Sequence, residues 1–179
     1  MSVQRGGVVT DDPQIAVVAN RNSWPFAGEK FRQSSYSCGC VTLAHRPHWI
    51  VTQVGQGELL RCLIVDDNRY FLDSATRMLE RGGLAIVGVA STTAEALTRA
   101  EELCPDVTLV DIHLGAESGF ELAKQLLRKS APANPAVILT SAYPAQEFAE
   151  CIAASPALGF VRKSALSAGV IRDLVATQG

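Results

Sequence analysis

Residues 62–67, Cys62-Leu63-Ile64-Val65-Asp66-Asp67, decide the fold: four apolar side chains in a row give way at once to two carboxylates. An apolar run without polar alternation reads as a strand buried on both faces, the position of a strand inside a parallel sheet. After it, Phe71, Leu72, Ala75, Met78 and Leu79 recur at helical spacing until Gly82-Gly83, a pair that stops a helix. Strand, acidic turn and helix form one unit, and the alternation of strand and helix continues after it.

Residues 85–90 are a second apolar strand, and Ser91 or Thr92 caps a helix carrying Ala94, Leu97, Ala100 and Leu103 inward until Pro105. Residues 107–112 make a third strand. The helix over 119–129 turns Phe120, Leu122, Ala123, Leu126 and Leu127 inward. Arg128-Lys129 at its end suits the helix dipole and is no nucleic-acid patch. Pro135 introduces a fourth strand, 136–139, followed by a helix over 146–154, a short strand over 159–161 and a last helix over 166–176. Five strands alternating with five helices predict an α/β domain: a doubly wound five-stranded parallel sheet of the flavodoxin-like type, with right-handed crossovers.

The regular pattern covers residues 61–179. Residues 1–60 hold Gly-, Ser- and Pro-interrupted pieces, in which only 15–19 and 49–54 read as strands. They are expected to be a poorly ordered, irregular extension, or non-native residues from a start placed too far upstream. Cys38-Gly39-Cys40 with His45 and His48 offers four zinc-ligand types, at a spacing that matches no structural zinc site. The chain has 179 residues, 47% of them hydrophobic, and a net charge of −2. That charge points to no nucleic-acid or anionic-membrane partner. No apolar run reaches the ~18 residues of a membrane span. Five cysteines without framework spacing fit reduced thiols, and a cytoplasmic location is expected.

In doubly wound folds the site lies beyond the carboxyl ends of the strands. The first strand ends at Asp66-Asp67, the third at Asp111, the fourth at Thr140-Ser141 and the fifth at Lys163. Crowded carboxylates repel unless a cation sits among them. Oxygen-only donors suit Mg²⁺, and an aspartate beside Mg²⁺ can attack phosphorus to give an acyl phosphate.

Four segments carry a family resemblance. Leu63-Ile64-Val65-Asp66-Asp67-Asn68 resembles the acidic opening of two-component response-regulator receiver domains. Thr108-Leu109-Val110-Asp111-Ile112-His113-Leu114, with Gly119 eight residues past Asp111, is similar to their phosphoacceptor segment. Val137-Ile138-Leu139-Thr140 resembles their switch-hydroxyl strand, and Gly159-Phe160-Val161-Arg162-Lys163 their lysine segment.

The resemblance implies a receiver over 61–179 in which Asp66, Asp67, Asp111 and the His113 backbone carbonyl hold Mg²⁺. Asp111 would take a phosphoryl group from a sensor histidine kinase in a phosphorelay. Thr140, chosen over Ser141 for its distance from Pro135, would bond that group, and Lys163 would pair with its charge. Phe160 would turn inward as Thr140 moves, changing the face made by the fourth helix, fifth strand and fifth helix for a protein partner or a second copy. Such a domain promotes only its own phosphorylation and dephosphorylation. Gly115 stands where the family often has proline, which implies a more mobile loop. Phe160 lacks the common tyrosine's hydroxyl and with it a hydrogen-bonded switch.

With the last helix ending near Ala176, no DNA-binding output domain fits in this chain, unless it is a piece of a longer regulator. Other readings compete. A Mg²⁺-dependent aspartyl-phosphate hydrolase needs two aspartates one residue apart on the first strand, whereas Asp66 and Asp67 are adjacent. A flavodoxin needs a phosphate loop where Asp66-Asp67-Asn68 would repel one. A phosphorylation-independent interaction domain would be marked by loss of an acidic or lysine position, and none is lost.

Overall fold

The computed structural model describes residues 14–17, 59–129 and 136–176. The strand expected over 49–54 and the Cys38, Cys40, His45 and His48 group lie outside them.

The elements follow in chain order: β1 (Ile15–Val17), β2 (Arg61–Val65), α1 (Arg69–Arg81), β3 (Ala85–Ala90), α2 (Thr93–Leu103) and β4 (Val107–Asp111). A small hairpin, β5 (His113–Leu114) with β6 (Glu117–Ser118), precedes α3 (Gly119–Lys129). Then come β7 (Ala136–Ser141), α4 (Ala149–Ala154), β8 (Gly159–Arg162) and α5 (Ala168–Ala176). The main sheet runs β1-β8-β7-β4-β2-β3. Five of its strands, β2, β3, β4, β7 and β8, are mutually parallel, as expected from the strand–helix alternation. The sixth, β1, is antiparallel to β8 and comes from the segment read as an extension.

The parallel strands are mostly apolar because the sheet has helices on both faces. Cys62, Ile64, Leu109, Ile138 and Val161 point to the face covered by α1 and α5, against Leu72, Leu79, Ile171 and Leu174. Leu63, Val65, Val110, Val137, Leu139 and Phe160 point to the other face, against Ala96, Ala100, Leu122, Leu126 and Ile152 of α2, α3 and α4. Alternate residues of one strand thus feed opposite cores, the period-2 geometry of a strand. Met78, placed inward by its spacing, sits at the rim of the α1 stripe and is 41% exposed. In α2 Ala96 and Ala100 are buried, and Ala94 faces out.

Helix ends follow the capping chemistry in the sequence. Asn68 caps α1, its Oδ1 accepting from the Phe71 N–H at 3.2 Å. Thr92, one of the two expected candidates, caps α2 in the same way through the Glu95 N–H. At the end of α1, Leu84 N–H bonds the Leu79 carbonyl and Gly83 N–H the Glu80 carbonyl, a Schellman closure. The helix expected over 146–154 is split. A 3₁₀ turn over Ala145–Phe148 precedes α4, and Phe148, at φ −123° and ψ 15°, leaves the helical region between them.

Arg61 opens the domain with bonds that tie it to the far end of α2. Its guanidinium donates to the Leu103 and Cys104 carbonyls at 2.6 and 3.1 Å, and its N–H to Asp106 Oδ2 at 2.8 Å. Among the described residues, no helix is long and apolar enough to cross a membrane.

The described cysteines differ in exposure. Burial pushes the Cys62 thiol up to about 12, whereas Cys151 is exposed. Because the thiolate is the nucleophile, iodoacetamide at pH 8 is expected to modify Cys151 of the native chain within minutes and Cys62 only after unfolding. Peptide mapping checks this, and early modification of Cys62 would show that β2 is not buried.

Candidate functional site

The strand ends converge as the parallel register dictates. β2 and β4 are adjacent, so Asp66, one residue past β2, comes beside Asp111 at the end of β4. β7 lies on the other side of β4, with Thr140 in register opposite Asp111. Lys163 begins the turn after β8. One carboxylate oxygen from each of Asp66, Asp67 and Asp111 lies within 4.8 Å of the others. Asp66 and Asp111 are buried, and Asp67 is exposed at the mouth.

Lys163 joins the two buried carboxylates. Its Nζ is 2.8 Å from Asp111 Oδ2, which it hydrogen-bonds, and 2.6 Å from Asp66 Oδ2. The Asp66 contact lies outside good hydrogen-bonding geometry, so charge is what holds it. The other oxygen, Asp66 Oδ1, accepts from the Asn68 N–H at 3.0 Å. The ring of Phe71 lies beneath the ammonium, 4.5 Å from Nζ to the centroid, a cation–π contact.

Burial pushes the Asp66 carboxyl up, against the lowering pull of Lys163 and the Asn68 N–H. Burial also opposes the charge of Lys163, but its hydrogen bond to Asp111 and the close negative charge of Asp66 outweigh that and raise its pKa. Three carboxylates and one ammonium leave two negative charges. Hard oxygen donors with that residual charge fit a divalent cation such as Mg²⁺.

The segment after Asp111 is built to stay close. Gly119 N–H returns to the Ile112 carbonyl at 2.9 Å. A Cβ on Gly119 would overlap the Asp111 carbonyl oxygen and stand 2.8 Å from its carbonyl carbon. Between them, Gly115 is the first residue of the two-residue β5–β6 loop, at φ +62°. Proline, fixed near φ −65°, cannot occupy that position. Gly115 therefore marks a tight hairpin, a feature its reading as a source of mobility did not include. Glu117 Oε2 accepts from the Thr93 N–H at 2.8 Å and fastens the hairpin to the start of α2.

Thr140 is buried at the end of β7, and its carbonyl accepts from the Ile112 N–H at 2.9 Å. Ser141 Oγ accepts from the Tyr143 N–H at 3.2 Å, a local turn bond that occupies this hydroxyl. The His113 imidazole is exposed, with ring centroids of Phe148 and Tyr143 at 5.4 and 6.2 Å, both edge-on. Phe160 already lies fully inside, on the face opposite Ile138 and Val161. A phenyl ring has no hydroxyl to hold near water, so full burial leaves no polar atom unsatisfied.

Residues 62–175 match the family model described as a response regulator receiver domain. The chain belongs to the response regulator receiver family. It is 41% identical over 71 residues to the response regulator GacA of Pseudomonas viridiflava, a match covering 39% of this chain and 33% of that protein. Among solved structures, the receiver is similar to a CheY-like receiver domain protein from Methanospirillum hungatei JF-1. That match has a TM-score of 0.54 and 25% identity, over 68% of this chain and 100% of that one. It is also similar to a response regulator protein from Burkholderia pseudomallei determined with a phosphorylated aspartic acid, calcium ion and citrate. There the TM-score is 0.56 and the identity 28%, over 66% and 69% of the two chains. The chain spans about a third of the length of the GacA protein it matches.

Sequence reasoning missed Phe71 as the platform under Lys163, Asn68 and Glu117 as fasteners, and the His113–Tyr143–Phe148 rim. The first joins residues far apart in sequence, so spacing carried no sign of it. Gly119 enters the sequence reading only through the family resemblance; the structure gives its reason, the contact with Asp111. Replacing Gly119 by Ala is expected to destabilise the receiver by about 3 kcal/mol in urea unfolding, since the clash is with backbone that cannot turn away. A loss under about 1 kcal/mol would show that the Asp111 loop gives way freely.

Proposed function

We propose that the receiver takes a phosphoryl group on Asp111 from a sensor histidine kinase, with Mg²⁺ held by Asp66, Asp67, Asp111 and the His113 backbone carbonyl. The observation that carries this reading is the convergence of three carboxylates at the strand ends, open to solvent at Asp67 and closed behind by Lys163. Bound there, Mg²⁺ supplies the neutralisation that lets an anionic phosphoryl group approach a carboxylate.

The chain's own groups do the rest. A carboxylate oxygen of Asp111 forms the bond to phosphorus. The bond from phosphorus to the kinase imidazole nitrogen breaks, and the imidazole leaves with the electron pair. Lys163 is positioned to exchange part of its hold on Asp111 Oδ2 for the phosphoryl oxygens. Thr140, opposite Asp111 in register, donates its hydroxyl to the same group. Asp66 stays beside Lys163 and keeps the ammonium from leaving with the new charge. The phosphorylated aspartic acid in the Burkholderia pseudomallei relative supports this chemistry.

The change then reaches a protein partner, or a second copy, through the face of α4, β8 and α5, within a cytoplasmic phosphorelay and without direct nucleic-acid or membrane contact. The receiver promotes only its own phosphorylation and dephosphorylation, and no further catalysis is assigned to it.

Incubation of the full chain with acetyl phosphate is expected to add one phosphoryl group by intact mass, only when Mg²⁺ is present. Asp111→Asn is expected to gain none. A wild-type chain that stays unmodified while folded and metal-loaded would turn the reading toward a phosphorylation-independent interaction domain.

A further inference from the structure

The outer edge of β8 is closed by the chain itself. Ile15 pairs with Val161, Ala16 with Phe160 and Val17 with Gly159, in antiparallel register. Arg162 N–H donates to the Gln14 carbonyl at 2.8 Å. Bonded pairs alternate along an antiparallel ladder, so Ala16 and Phe160 form the next directly bonded pair. The side chain of Gln14 also reaches over: its Oε1 accepts from Ser164 Oγ at 3.1 Å. Gln14 therefore bonds the residue before Lys163 and the residue after it. Ile15 packs against the core cluster that holds Val161 and Leu174.

Two physical facts make this contact a candidate for release. A three-residue strand holds through few backbone bonds, and short edge elements open at much lower free energy than the core. Its hold also brackets Lys163, whose Nζ is fixed by Asp66 and Asp111. A shift of that ammonium toward a new negative group would move the turn to which Gln14 is bonded. An uncovered β8 edge would then present unpaired N–H and C=O groups to any extended segment.

We infer that the β8 edge is a strand-docking site for an extended peptide segment, occupied in this chain by residues 14–17. Charging of the Asp111 centre loosens this occupant. The coupling rests on the phosphoacceptor reading of Asp111; the docking does not. The segment it fits runs antiparallel to β8 and carries a branched apolar residue opposite Val161. One residue earlier it carries a hydrogen-bond acceptor for Ser164 Oγ.

Hydrogen–deuterium exchange of the full chain, read over residues 159–164, tests this in wild type, Ala16→Pro and Gln14→Ala. Each is measured before and after acetyl phosphate with Mg²⁺, and intact mass records the phosphoryl group. Ala16→Pro removes a ladder N–H, and exchange over 159–164 is expected to rise about tenfold. Gln14→Ala is expected to give a smaller rise. The wild-type chain is expected to approach the Ala16→Pro rate once phosphorylated. A synthetic peptide of residues 12–20 is expected to restore protection to Ala16→Pro, and the same peptide with Ala16→Pro is not.

Equal exchange in wild type and Ala16→Pro would overturn the docking, as would failure of the peptide to protect. Unchanged exchange in a chain that mass shows to be phosphorylated would overturn the coupling. A chain that gains no phosphoryl group counts against the Asp111 reading and removes the coupling with it, while the Ala16→Pro and peptide comparisons still decide the docking.

Discussion

A single ammonium holds the ends of three strands together. Lys163, at the end of β8, sits 2.6 Å from Asp66 and 2.8 Å from Asp111, and without it two buried carboxylates would face each other across adjacent strands. Burying an unpaired carboxylate costs several kcal/mol, about what a small domain has in reserve. The pairing is thus a condition for closing the sheet as well as a feature of the site. Phe71 adds a ring under the ammonium without adding an acceptor, so the charge stays directed toward the carboxylates.

The arrangement follows from topology. Parallel strands linked by helices place all their carboxyl ends on one rim. The strand order puts β4 between β2 and β7, with β8 next, so the donor of the third strand is central and the others close on it from both sides. Gly119 lets α3 start directly against the Asp111 carbonyl, and the β5–β6 hairpin turns tightly at Gly115. These contacts keep the backbone around Asp111 fixed while Asp67 stays in solvent. A fixed carboxylate with one open side suits group transfer, the role proposed for Asp111.

Much of this was legible in the sequence because the parallel sheet announces itself. Runs such as 62–65 and 136–139 are apolar on both faces, and the polar residues that follow them fall at the rim. Asp66, Asp67, Asp111, Thr140 and Lys163 were legible for that reason. What was not legible depends on contacts between distant segments. Residues 15–19 read as a strand, which the structure shows over 15–17, but nothing in them names β8, some 144 positions later, as the partner. Met78 follows the helical period of α1 yet is left partly exposed. The break at Phe148 belongs to a ring that packs beside His113, a tertiary constraint that local propensity does not contain.

Asp111, and no other carboxylate of the cluster, is the proposed acceptor. Borohydride reduction of the acetyl-phosphate-treated chain converts an aspartyl phosphate to homoserine, and fragment mass spectrometry locates the converted residue. Conversion at position 111 alone is the predicted result. Conversion at Asp66 or Asp67, or at no aspartate in a chain that has gained a phosphoryl group, would contradict it.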